Sequence, residues 1–194
     1  MTTIRLYMTM SLDGFVAGPG DSADAPLGVG GFRLFNWLDH RMDPGPNRQV
    51  FDEMVATRAV IAGRRTYELA NHWNGDHHDG VPVFVLTHDV PDDPPPGSVR
   101  YVTDVRECVA QARAVAGDGD VMVHGAGAAQ ALLRAGLLDE LELHVVPVLL
   151  GQGRRLFDNL PAGHIELDLV RLLSTSEVEP AQHVTHLRYR VRHP

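Results

Sequence analysis

The sequence predicts an α/β fold of three layers around a mixed sheet. Apolar strand patterns alternate with helical ones through about residue 138, which calls for parallel crossovers with helices on both sheet faces. After 138 the strand patterns have no helix between them, which calls for antiparallel strands added to that sheet. The 194 residues suit one domain spanning 1–194 with a sizeable core, and fall short of two.

The strand patterns lie at 4–9, 59–62, 81–87, 99–102, 121–124, 141–149, 167–173 and 185–191. Helical spacing fits 49–57, 65–72, 105–115 and 128–137, with Asp104 as N-cap of the third. Pro147 falls inside the pattern 141–149 and predicts an edge or bulge position. Two loops stand apart. "GPGDSADAPLGVGG" (18–31) reads as a lid or substrate loop, and "VPDDPPPGS" (90–98) as a stiff surface connection.

Composition removes several classes of function. The formal net charge of −8 argues against a nucleic-acid or anionic-membrane surface, and no run reaches the roughly 20 apolar residues of a membrane span. The start "MTTIRLYMTM" goes straight into a strand pattern, so no signal peptide is expected and the cytoplasm is the default location. Cys108, the single cysteine, sits beside an apolar helical stripe and is read as packing. All 17 basic residues are arginine, which excludes lysine chemistry and the lysine-dependent phosphate loop. Eleven histidines invite a metal, but "NHWNGDHHDG" (71–80) lacks ligands converging from ordered elements, so it is read as a solvated loop with no metal.

Three stretches carry chemistry. In "AGRRTYELA" a strand breaks at Gly63 into a helix whose first turn holds Arg64, Arg65 and Thr66. Cations are normally placed at the other helix end, so an anion is the expected partner; the alternative is that both arginines meet solvent and Thr66 caps the helix. In "VMVHGAGAAQALL" (121–133), Gly125 and Gly127 let backbone approach a ligand at a second strand-to-helix turn, although Gln130 replaces the third glycine of GxGxxG. In "MTMSLDGFVAG" (8–18) a turn forms at Asp13-Gly14, where Asp13 either makes the turn or faces a ligand pocket.

Together with "GLLDELELHVVPVLLGQGRRLF" (136–157), the motifs "SLDG", "GRRTYE" and "VHGAG" resemble, in order and spacing, the reductase domain of bifunctional riboflavin-biosynthesis deaminase-reductases, within the dihydrofolate reductase-like superfamily. The resemblance implies an eight-stranded, mainly parallel sheet with an antiparallel C-terminal strand. It also implies NADPH as cofactor, a small heterocyclic, pterin-like or sugar-derived substrate, and a homodimer. By that resemblance Gly63, Arg64, Arg65 and Thr66 hold the 2′-phosphate and diphosphate, Leu86, Thr87 and His88 seat the adenosine, and Gly125, Ala126, Gly127, Ala128 and Ala129 cradle the diphosphate. Met10, Val16 and Ala17 would flank the nicotinamide, with Asp13 orienting the substrate or a proton-delivering water.

Phe32, Phe35 and Trp37 are either the apolar wall of the substrate site or ordinary core. In "FRLFNWLDH" only Asp39 offers the acid that dihydrofolate reductases place on their first helix, and Arg154 and Arg155 are the available cations for a substrate phosphate. The deaminase half, which needs several cysteines, is excluded. Two alternatives to a stand-alone NADPH-dependent reductase remain. One is an NADP(H)-binding module without turnover; the other is the 5-amino-6-(5-phosphoribosylamino)uracil reductase of riboflavin biosynthesis.

Overall fold

The structure, a computed structural model, describes residues 2–93, 99–158, 160, 163–175 and 179–193. Residues 94–98 of the proline-rich connection lie outside it. The elements run β1 (Ile4–Ser11), β2 (Phe15–Ala17), α1 (Pro46–Val55), β3 (Ala59–Gly63), α2 (Arg64–Leu69), β4 (Val83–Leu86) and β5 (Val99–Val102). They continue as α3 (Val105–Ala116), β6 (Val121–His124), α4 (Ala126–Ala135), β7 (Glu140–Val146), β8 (Arg154–Arg155), β9 (Leu167–Ser174) and β10 (Thr185–Val191).

Eight strands form one sheet in the order β5-β4-β3-β6-β1-β7-β10-β9, and β2 pairs separately with β8. Strand β10 is antiparallel to both its neighbours, β7 and β9, while every other pair in the large sheet is parallel. The expectation that antiparallel strands begin after 138 is corrected at β7. Helix α4 carries the chain back across the sheet first, so β7 lies parallel to β1. Pro147 does not sit in an edge strand either: β7 is interior and ends at Val146, where a residue without an N–H can stop the ladder.

Local chemistry explains the helix ends. Pro46 fits the first turn of α1, Asp104 accepts a 2.8 Å bond from Glu107 N at the start of α3, and Gly136 takes the left-handed position after α4. The central strands are apolar on both faces because helices cover both. Ile4, Leu6, Ile61, Phe84, Val121 and Val123 pack with α3 and α4, and buried Cys108 belongs to that core as expected. Tyr7, Val60, Val83, Val85 and Met122 form the opposite layer with Tyr67 of α2 and Met54 of α1.

Polar groups enter the α1 face of β7, β10 and β9 as matched sets. Cross-strand register aligns Glu142, Arg188 and Arg171, and Glu53 of α1 completes two carboxylates against two guanidiniums. Next to them His144 and His186 share a 2.9 Å Nδ1–Nδ1 contact, and His186 Nε2 meets Asn47 Oδ1 at 2.9 Å. Burial holds both imidazoles neutral, pushing His186 down to about 4 and His144 well below its ordinary value. On the other face Leu167, Leu169 and Leu172 of edge strand β9 are exposed, while their β10 partners Val191, Tyr189 and Leu187 pack on the core.

Candidate functional site

At the C-terminal ends of the parallel strands lies a cleft of about 1460 Å³, where open α/β sheets bind ligands. It is lined by the turns that leave β3, β4 and β6, by β2 and the loop after it, and by β8. Two of those turns touch. Gly125 has φ +97° and ψ 144°, and a Cβ there would come 2.2 Å from Thr66 Oγ1; one at Gly63 would come 3.4 Å from Ala128 N. The glycines therefore bring the first turns of α2 and α4 into contact.

Arg64 and Arg65 at this edge are held by internal acids. Arg64 Nε donates to Glu68 Oε1 at 2.7 Å and its Nη1 to Asp89 O at 3.2 Å. Arg65 Nε and Nη2 donate to the carboxylate and carbonyl of Asp21, at 3.0 and 2.7 Å. Thr66 does not cap α2, whose N-terminus carries no side-chain cap. Helix α2 is also shorter than expected. After Leu69 the chain enters a left-handed turn in which Asn71, His72, Trp73 and Asn74 have φ between 48° and 55°. Left-handed helical backbone costs about 1–2 kcal/mol per residue, and in this turn Trp73 packs between Tyr67 and His77 at ring distances of 5.5 and 4.5 Å. So 71–80 is not simply solvated: Trp73 and His77 are half-buried and Trp73 faces the cleft.

Of the residues expected at a cofactor site, Val16, Ala17, Gly63, Arg64, Arg65, Thr66, Leu86, Thr87, His88, Gly125, Ala126, Gly127 and Ala128 all line this cleft. Ala129 does not; it is buried in the α4 core. Met10 is replaced at the cleft by Met8, two residues back on the same face, whose Sδ accepts Gly125 N at 3.2 Å.

The expected substrate residues divide more sharply. Phe35 lines the cleft, whereas Trp37 is core, packed on His144 and His186 with its Nε1 donating to Thr9 Oγ1 at 3.3 Å. Phe32 and Asp39 are exposed and outside the lining, because the segment Gly31–His40 turns them to the surface. Asp13 also lies outside it. Its carboxylate accepts Ser11 Oγ at 2.5 Å, Leu150 N at 3.1 Å and Gly151 N at 2.7 Å, which ties the β1–β2 turn to the segment after β7. The Ser11 bond, with the two backbone bonds, holds its pKa below the usual carboxylate value, so Asp13 is an ionised turn-former.

Sequence reasoning missed Asp21, Trp73 and His124, all in the lining. His124 Nδ1 is buried with no hydrogen-bond partner among the described residues, and burial pushes the imidazole down to about 4. Its signal was available: it is the residue before the Gly125 turn, at the end of a strand aimed at the cleft. Among the described residues no group of three or more His, Cys, Asp or Glu is arranged to hold a metal, and no helix is long and apolar enough to cross a membrane.

A family model described as the RibD C-terminal domain matches residues 2–178, so the chain belongs to that family. Among solved structures, one similar to it is a Shewanella sp. PV-4 protein described as a riboflavin biosynthesis protein. The two are 22% identical, cover 100% of each other and superpose with a TM-score of 0.71. Another is dihydrofolate reductase from Enterococcus faecalis complexed with NADP(H) and RAB-propyl, 15% identical over 98% of this chain and 97% of that one, TM-score 0.67. The fold is thus dihydrofolate reductase-like. No curated protein matches the chain.

Proposed function

We propose that the protein is a reductase that takes NADPH as cofactor and a small heterocyclic, pterin-like or sugar-derived molecule as substrate. The observation that carries this reading is the contact between the two glycine-dependent turns, Gly63-Arg64-Arg65-Thr66 and Gly125-Ala126-Gly127, at one sheet edge. A side chain at Gly125 would bar that approach, and the residues opening α4 line a cleft of about 1460 Å³. The residues therefore fit the group.

NADPH, when bound, supplies the hydride. Arg64, between Glu68 and the Asp89 carbonyl and close to Thr87 and His88, is the cation placed to read a 2′-phosphate beside an adenosine. The amides of Gly125–Gly127 meet the diphosphate, and Met8, Val16 and Ala17 give an apolar floor. At the substrate end Phe35 and Trp73 exclude water, and uncharged His124 can exchange hydrogen bonds with a ring nitrogen or carbonyl. Without a carboxylate at Asp13 or Asp39 facing the cleft, this chain works by positioning.

The test is loss of NADPH absorbance with a panel of pterins, pyrimidinones and 5-amino-6-(5-phosphoribosylamino)uracil. Consumption with one of them supports a reductase. Tight NADPH binding with no consumption across the panel would instead favour a binding module without turnover.

A homodimer is part of the proposal. The exposed leucines of edge strand β9 are where a second copy would bury apolar surface, at roughly 25 cal/mol per Å². Light scattering is expected to give twice the chain mass, and Leu169→Glu with Leu172→Glu to give one chain mass; a wild-type monomer would contradict this.

A further inference from the structure

Arg154 and Arg65 come from opposite sides of the cleft mouth, one from β8 and one from α2, yet both guanidiniums lie on one oxygen. Asp21 Oδ2 accepts Arg65 Nε at 3.0 Å and Arg154 Nε at 2.9 Å, and Asp21 Oδ1 accepts Arg154 Nη2 at 3.2 Å. The Asp21 carbonyl takes Arg65 Nη2 at 2.7 Å. Two like charges gathered on a single atom need an anion between them. Here the anion belongs to the protein itself.

The delivery of Asp21 is built in. Gly18 N donates to Leu27 O and Val29 N to Pro19 O, so the loop after β2 closes on itself, and a Cβ at Gly18 would come 1.8 Å from Val29 O. Antiparallel pairing of Ala17 with Arg154 brings β8 alongside. Asp21 is only 13% exposed, whereas the arginines are 49% and 42% exposed, and all three line the cleft. Burial alone would raise the Asp21 pKa; Arg154 and Arg65 outweigh it and hold the group below its ordinary value, so it is ionised.

We propose that Arg65 and Arg154 form one anion subsite for a diphosphate, and that Asp21 fills it as an internal carboxylate which the incoming ligand must displace. The proposal rests on the cofactor reading above only in naming the diphosphate of a dinucleotide as its natural occupant. The bidentate edge of Arg65 is taken up by Asp21, so a phosphate can use it only when the carboxylate leaves. Loop 18–31 is thereby tied to the state of the subsite: held while Asp21 is bound, released when the anion takes its place.

Inorganic pyrophosphate is the probe, read by calorimetry and by hydrogen exchange of residues 18–31. Adding it to the wild-type protein should speed exchange in that loop. Asp21→Asn should bind it roughly 5- to 10-fold more tightly, with loop exchange already fast, as expected when a competing internal contact is removed. Arg154→Gln should bind it more weakly. Unchanged exchange in the wild-type loop, or pyrophosphate binding by Asp21→Asn no tighter than wild type, would overturn the proposal. The wild-type exchange experiment needs no variant to fold. If pyrophosphate releases the loop while NADPH does not bind, the cofactor reading fails and the subsite stands. If NADPH binds with no release, the subsite fails and the cofactor reading stands.

Discussion

Replacing Glu142 by alanine is expected to cost about 3–5 kcal/mol of stability, the range for breaking a buried ion pair from one side. Its side chain is fully buried and accepts from Arg188 Nε at 2.5 Å and Arg171 Nη2 at 3.2 Å. Removal leaves two guanidiniums, 18% and 12% exposed, with Glu53 as their one remaining carboxylate among the described residues. Arg171 Nε is already buried without a partner among the described residues, so they offer the site no spare acceptor. Glu53, pulled down to about 2 because the two arginines outweigh its burial, stays ionised and cannot balance both charges. Thermal unfolding should show a midpoint roughly 10 °C lower. A shift within 2 °C would mean that the network is solvated and contributes little.

The second large effect is expected at Gly125. Its φ of +97° with ψ 144° is a conformation that residues with a Cβ rarely adopt, at a cost of order 1–3 kcal/mol. Gly125→Ala adds a clash, since the new Cβ would meet Thr66 Oγ1 at 2.2 Å and Thr66 Cβ at 2.9 Å. The two turns must separate, which moves the amides opening α4 away from Arg64 and Arg65. The expected result is a protein destabilised by roughly 2–4 kcal/mol whose affinity for NADPH falls at least tenfold. Gly127→Ala is the control: φ there is not positive and a Cβ would meet nothing within 4 Å, so its stability should be nearly unchanged. Equal behaviour of the two variants would contradict the account of the contact between the turns.

What was legible in the sequence is what local chemistry decides. Asp104 announced α3, the apolar runs announced the buried strands, and Gly63 and Gly125 announced turns at strand ends. Side-chain depth was less legible. Met8 and Met10 share a face by alternation, and only packing against Gly125 decides that Met8 reaches the cleft. Ala129 lies one residue beyond Ala128 and already turns into the core. Asp13 was read with two roles open, and the choice was made by Leu150 and Gly151, more than 130 residues away, whose amides take the carboxylate.

Asp21, Trp73 and His124 escaped for related reasons. Asp21 meets its arginines through the pairing of β2 with β8, a two-residue strand with no pattern of its own. Trp73 reaches the cleft through a left-handed turn that propensity disfavours. His124 sits in a strand whose neighbours are apolar, so alternation alone reads it as core.

The central claim is that Arg64 makes this cleft selective for a dinucleotide carrying a 2′-phosphate, and calorimetric titration with NADPH and NADH tests it most directly. The account predicts that the wild-type protein binds NADPH more tightly than NADH, and that Arg64→Ala removes most of that preference while leaving NADH binding nearly unchanged. Equal affinity for the two nucleotides in the wild type, or binding of neither, would contradict it.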